Sequence, residues 1–235
     1  MNWNAFAIGD FKNANPANDD ERKLLEESVE HLKDLTLYKE VYNKEHYDSY
    51  PHDFQGMLLD IRLERIKEII VRNNFKNILD VGCRIGLLLF NLYENKLITD
   101  GMGIDINKSA IELCKKYKAE KAHSALSFYE LMFEDFPIRE NFDCVVMAEV
   151  LEHCIDPAKF LNLARDLTNY VIVSVPVHTP HIDGKGNDWK YQEHVRCLKG
   201  KEMEDLLIST GWIVKEFFQV TCYCLIDIYL LEKQV

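Results

Sequence analysis

Two glycines and two acidic residues in this chain of 235 residues have the spacing of a nucleotide-binding turn. Ile78–Val81 is a short apolar run typical of a buried strand, and it contains Asp80. Gly82 and Gly86 follow directly, where they allow a sharp turn and a helix start close to the strand. Asp105 ends the next apolar run, where a carboxylate can accept both hydroxyls of a ribose. The pattern predicts a site for a nucleoside-bearing ligand.

The charge at the start of this turn indicates which nucleoside. A dinucleotide site favours three glycines and a helix N-terminus that holds a pyrophosphate. Asp80 would repel such a diphosphate, whereas it suits a ligand that carries an amine. S-adenosylmethionine (SAM) brings an ammonium and a sulfonium, and we therefore expect it as the cofactor.

A second group of candidates follows the strand predicted at Phe142–Met147. Glu149, Glu152 and His153 have the spacing that places side chains on one face of a helix. Histidine can remove a proton from a hydroxyl group near neutral pH. His153 is therefore the first candidate for a catalytic base, His194 the second, and Glu149 a further catalytic candidate.

A long loop after the fifth strand is expected to cover the substrate. It runs over residues 176–197, which is too long for a mere connection between two elements. A tyrosine-rich tract near residue 47 is expected to join it as a lid. The predicted substrate-binding residues are Tyr47, His178, His181, Trp189 and Arg196.

Alternating strand and helix patterns predict an α/β fold. Five alternations require crossover connections and hence parallel strands, and two adjacent strands at the end indicate an antiparallel edge. Asn107 and Asp156 are expected to cap helices, the latter with Pro157 at the first helical position. The predicted organisation is a tail at 1–20, a helical cap at 21–53 and a ligand-binding domain at 54–235.

Composition excludes several classes of protein. The chain has 39 Asp and Glu against 28 Lys and Arg, a net charge of −11, so it has no cation excess with which to neutralise nucleic acid. No apolar stretch reaches the ~18 residues of a membrane span. The N-terminal residues lack a signal pattern, and the seven cysteines contain no CxxC pair, so we expect a cytoplasmic protein with reduced thiols.

Several motifs together resemble the class I SAM-dependent methyltransferases. They are LDVGCRIG, GIDIN, FEDFP, FDCVVMAEVLEH and VIVSVP, followed by EHVR and a helix ending in STGW. The group that includes the ubiquinone-pathway O-methyltransferases is the most similar. The likeness covers roughly residues 54–231.

This resemblance implies an open, seven-stranded, mostly parallel sheet with helices on both faces and an antiparallel terminal strand. It also implies roles for individual residues. Asp105 would hold the ribose, and Glu134 or Asp135 would lie near the adenine amino group. Two positions depart from the family, Arg84 at a glycine and Met132 at an acid. The implied cofactor-binding residues are Asp80, Gly82, Cys83, Gly86, Asp105, Ile106, Phe133, Glu134 and Ala148.

Three functions stay open at this point. The first is methyl transfer to a small polar acceptor, at oxygen rather than nitrogen because histidine bases are available. The second is a metal-dependent RNA 3′-end ribose methyltransferase, whose ligand set Glu149, Glu152, His153 and His194 would match, although the charge disfavours RNA. The third is a non-catalytic SAM-binding protein, which Arg84 in the glycine turn suggests. A homodimer is an open alternative to a monomer.

Overall fold

The computed structural model describes residues 61–137, 141–177, 198–221 and 225–234. The predicted tail, the whole of the predicted helical cap at 21–53 and the predicted substrate loop from His178 onward lie outside these ranges. The first described helix, α1, covers Ile61–Arg72 and falls within the predicted ligand-binding domain.

Strands and helices alternate along the chain as the sequence predicts. The helices after α1 are α2 (Leu87–Glu94), α3 (Lys108–Lys121), α4 (Pro157–Arg165) and α5 (Lys201–Ser209). The strands are β1 (Asn77–Val81), β2 (Asp100–Asp105), β3 (Leu126–Glu130), β4 (Cys144–Ala148), β5 (Tyr170–Val177), β6 (Trp212–Thr221) and β7 (Leu225–Lys233). Two 3-10 turns cover Phe133–Asp135 and Leu151–His153.

The seven strands form one sheet in the order β3-β2-β1-β4-β5-β7-β6. The first five are parallel to one another, and β7 inserts antiparallel between β5 and β6. This confirms the predicted open sheet with an antiparallel end. The carboxyl ends of β1, β2 and β4 therefore meet at one edge, where the chain order changes direction between β1 and β4 and ligands of such sheets bind.

Helices cover both faces of the sheet and create two apolar cores. One core packs β-strand side chains against α1, α2 and α3, and the other packs the opposite face against α4 and α5. The predicted caps are present: Asn107 Oδ1 accepts from Ala110 N at 2.9 Å, and Asp156 Oδ1 accepts from Lys159 N at 3.1 Å. These contacts fix where α3 and α4 begin.

Two sequence boundaries differ from the structure. β5 continues through Pro176 to Val177, because both residues pair with β7, so the first two residues of the predicted loop belong to the strand. The segment between α3 and β4, where the sequence pattern marks no clear element, contains β3 and then the 3-10 turn at Phe133–Asp135. Among the described residues, Cys83, Cys114, Cys144 and Cys154 are buried and form no disulfide. Within the described ranges, the helices all lack the length and apolar character needed to cross a membrane.

Candidate functional site

The turn after β1 is folded tightly against the end of β2. The N–H groups of Gly82 and Cys83 both donate to Ile104 O, at 2.8 and 3.0 Å. Gly82 has φ of 70°, and a Cβ added there would lie 2.7 Å from Val150 Cγ2. The residue must therefore be glycine both for its left-handed backbone and for the close approach of the segment after β4.

Arg84 occupies the middle of the turn in a left-handed conformation, with φ of 51°. A residue with a Cβ adopts this conformation at a cost of about 1 kcal/mol or more. In this conformation the backbone N–H of Arg84 donates to Asp105 Oδ2 at 2.8 Å, which holds the turn against the Asp105 side chain. The departure from glycine thus leaves the turn closed around Asp105.

Asp105 lies at the end of β2 and is 9% exposed. Its Oδ1 accepts from Asn107 N at 2.8 Å, and its Oδ2 accepts from Arg84 N. Burial raises the pKa of Asp105, and the N–H donors of Asn107 and Arg84 oppose that rise. Each oxygen keeps a further lone pair, so the carboxylate can accept two hydroxyl groups side by side.

Asp80 lies near the carboxyl end of β1 and is 4% exposed. Burial, followed by the negative charge of Asp105, raises its pKa to about 8, while Arg62 acts in the opposite direction. A carboxyl group held in this way ionises readily only when a further positive charge arrives. Its position beside the glycine turn suits the ammonium group that the sequence predicts.

The segment after β4 does not form the helix that the sequence predicts. Glu149, Glu152 and His153 were expected on one helix face, but Glu149 has φ of 58° and only Leu151–His153 forms a 3-10 turn. The Glu149 N–H donates to Ser174 O at 3.0 Å, which draws the backbone toward β5 instead of into a helix. The side chains of Glu149 and Glu152 are still brought close enough for their charges to interact.

Arg62 and Ser174 hold the Glu149 side chain from two elements. Ser174 Oγ donates to Glu149 Oε1 at 2.9 Å, and Arg62 Nη1 lies 3.9 Å from Glu149 Oε2. Neither Arg62 nor Ser174 is among the site residues predicted from the sequence. Arg62 resembles any solvated charge of an amphipathic helix, and Ser174 resembles any small residue of a strand, so only the sheet order brings them to the site.

Glu152 is 1% exposed, and neither of its carboxyl oxygens has a hydrogen-bond partner among the described residues. His153 Nε2 lies 3.9 Å from Glu152 Oε1, which is too far for a hydrogen bond. Burial, and then the charge of Glu149, raise the pKa of Glu152 well above its ordinary value. A buried polar group of this kind calls for a donor that a ligand can supply.

The residues predicted around the adenine lie after β2, β3 and β4. Phe133 is only 2% exposed and packs on Phe160 with ring centroids 5.4 Å apart, so it belongs to the core beneath the site. Glu134 Oε2 is buried and has no hydrogen-bond partner within the part of the chain that the structure describes, so it can accept a hydrogen bond from a ligand. Ile106 and Ala148 are half-buried at the ends of β2 and β4.

The remaining predicted residues lie outside the described ranges. They are Tyr47, His178, His181, Trp189, His194 and Arg196. Across the portion of the chain that the structure describes, no group of three His, Cys, Asp or Glu side chains is arranged to hold a metal ion. The four-residue metal set of the sequence analysis includes His194 and therefore stays untested as a whole.

Comparison with known proteins gives matches to methyltransferases. A family model described as a methyltransferase domain matches residues 73–211. The ubiquinone biosynthesis O-methyltransferase of Candida albicans mitochondria is 32% identical over 105 residues, covering 44% of this chain and 32% of that protein. Its counterpart from Nitrobacter winogradskyi is 36% identical over 85 residues, covering 36% of this chain and 31% of that protein. The chain thus spans about a third of the length of these relatives.

Solved structures share the fold at low sequence identity. Magnesium protoporphyrin IX methyltransferase of Synechocystis PCC 6803 with bound SAM has a TM-score of 0.65 at 14% identity, over 85% of this chain and 96% of that one. The methyltransferase domain of bacterial CtHen1-C has a TM-score of 0.57 at 20% identity, over 74% and 97%. The resemblance inferred from the motifs is confirmed: this chain belongs to the methyltransferase-domain family and has the class I SAM-dependent methyltransferase fold.

Proposed function

We propose that this chain transfers a methyl group from SAM to a hydroxyl group of a small polar acceptor. The observation that carries the proposal is the pair of buried carboxylates at the glycine turn, Asp80 and Asp105. One suits a cationic amine and the other a ribose diol, which is the donor set that SAM needs. The O-methyltransferase relatives support oxygen as the receiving atom.

The residues of the turn have separate roles in this proposal. Asp105 accepts hydrogen bonds from the ribose hydroxyls, and Asp80 binds the ammonium group. Glu134, whose Oε2 has no partner in the described ranges, accepts from the adenine amine in place of the family's acid at position 132. Gly82, Cys83 and Gly86 shape the turn by their backbone, while Ile106, Phe133 and Ala148 form its apolar surroundings.

When bound, SAM supplies an electrophilic methyl carbon, and the carbon–sulfur electron pair stays on the sulfur. The acceptor oxygen forms the new bond to carbon and must lose its proton. The chain therefore has to align the hydroxyl group and take up that proton. His153 stays the first candidate base, with His194 and Glu149 as alternatives, and no acid is needed for the neutral thioether.

Labelled methyl transfer tests the proposal. The protein is incubated with SAM that carries a deuterated methyl group and a panel of phenolic, catecholic, sugar and amine acceptors, and products are identified by mass spectrometry. We expect a labelled methyl ether, with formation abolished by Asp105→Ala. Label found only on nitrogen would move the function to N-methylation. Binding of a dinucleotide without binding of SAM would contradict the proposal.

Partners and location follow from the same proposal. A small-molecule acceptor is the partner we expect, and the acidic charge supports no role for nucleic acid. A homodimer and a cytoplasmic location stay predictions. The metal-dependent RNA reaction is not proposed, because similarity to CtHen1-C at 20% identity concerns the fold alone.

A further inference from the structure

Glu149 has a backbone conformation that its residue type disfavours. It follows β4 directly, and its φ of 58° lies in the left-handed region. Such a conformation costs free energy for a residue with a Cβ, and in folded proteins it persists where surrounding contacts enforce it. Contacts from neighbouring elements must therefore hold Glu149 in this conformation.

Ser174 holds Glu149 at both its backbone and its side chain. The Ser174 carbonyl accepts from Glu149 N at 3.0 Å, and the Ser174 hydroxyl donates to Glu149 Oε1 at 2.9 Å. Ser174 itself is fully buried in β5 and pairs in register with Ala148 of β4. Because the serine is buried within a paired strand, its hydroxyl group and carbonyl give Glu149 two fixed points of contact.

The held carboxylate lies at the edge where the donor binds. The next residue, Val150, packs closely on Gly82. A Cβ added to Gly82 would lie only 2.7 Å from Val150 Cγ2. Arg62 lies 3.9 Å from the other oxygen, Glu149 Oε2. The carboxylate is thus fixed from two sides beside the glycine turn, and its charge interacts with that of the buried Glu152.

We propose that Ser174 is a positioning residue, which holds Glu149 in its left-handed conformation so that the carboxylate accepts a hydrogen bond from the acceptor hydroxyl. The inference rests on the proposed function, because it requires a methyl acceptor that carries a hydroxyl group. One hydrogen bond to a fixed carboxylate orients the acceptor oxygen toward the methyl carbon, and small errors in that orientation cost much rate. The strain at Glu149 is the cost of the orientation.

Hydroxyl removal at two positions tests the role of Ser174. Ser174→Ala should lower kcat by about tenfold or more and leave the Kd for SAM within about twofold, because only orientation is lost. Ser174→Thr keeps the hydroxyl and should restore most of kcat. The control is Thr168→Val, which removes a buried hydroxyl near the other end of β5 that donates to Asp143 O at 3.1 Å. It should lower the melting temperature and leave kcat unchanged.

A second comparison needs no acceptor and covers the case in which Ser174→Ala does not fold. Glu149→Ala keeps the strained backbone, while Glu149→Gly relieves it. Glu149→Gly should melt roughly 2–4 °C higher than Glu149→Ala. Equal melting temperatures would overturn the claim of strain.

The outcomes separate this inference from the proposed function. A parent protein that binds SAM and methylates the panel, together with a fully active Ser174→Ala, would overturn the positioning role alone. A parent that methylates nothing on the panel would overturn the proposed function and the acceptor contact with it. A selective loss of kcat that threonine repairs would establish the positioning role.

Discussion

Binding of SAM should release a proton, and Asp80 is the reason. Burial and the neighbouring Asp105 raise the Asp80 pKa to about 8. At pH 7 the free protein should therefore hold about 0.9 proton on this carboxyl group. The ammonium group that we propose to bind there favours the ionised form, so most of that proton should leave when SAM binds.

The magnitude follows from the pKa. Below pH 8 the Kd for SAM should fall about tenfold for each unit that the pH rises, since the competing proton becomes scarcer. Between pH 5.5 and pH 7 this amounts to about thirtyfold. The Asp80→Asn variant should bind SAM more weakly at pH 7 and lose this pH dependence.

Isothermal titration calorimetry in two buffers of different ionisation enthalpy measures the released proton directly. Asp100→Asn is the matched control, because Asp100 begins β2 at the opposite edge of the sheet and is exposed. It should release as many protons as the parent. A parent protein whose binding heat is the same in both buffers would refute the assignment of Asp80.

Three further predictions concern stability in the absence of ligand. Because the Asp80 pKa is raised in the folded state, the free energy of unfolding should fall as the pH rises from about 4 to 8. The fall should be at most about 6 kcal/mol. Denaturant titrations of Asp80→Asn should show a much weaker dependence of this free energy on pH. Arg84→Gly should raise the free energy of unfolding in urea by about 1 kcal/mol, because glycine removes the strain of the left-handed backbone. The distant control Ala122→Gly should show the same increase. An increase in the control alone would show that the Arg84 side chain makes contacts that compensate for the strain. Arg165→Ala should lose about 2–4 kcal/mol, because its guanidinium donates to Thr210 O, Gly211 O and Gln234 O; thermal melting at parental temperature would contradict this.

The local signals in the sequence predicted the fold well, because each is decided by neighbours in the chain. Asn107 and Asp156 cap their helices through contacts three residues away. The strand, the two glycines and Asp105 predicted the tight turn after β1 for a similar reason, since one crossover unit contains them all.

The failures in the site have a common physical cause, which is long-range pairing. Glu149 and His153 have helical spacing, but the contact of Glu149 N with Ser174 O, 25 positions further on, overrides that preference. Arg62 precedes the whole methyltransferase-domain match, so no motif points to it. Such contacts depend on the order of strands in the sheet, which the periodicity of a single segment does not contain.

The most direct test of the account is calorimetric titration of SAM into the parent and the Asp105→Ala variant, with the fold of each verified by circular dichroism. Loss of two charge-assisted hydrogen bonds to the ribose should weaken binding by about a hundredfold or more. The account predicts saturable binding to the parent and none detectable to the variant at equal concentration. Equal affinity in the two proteins would contradict it.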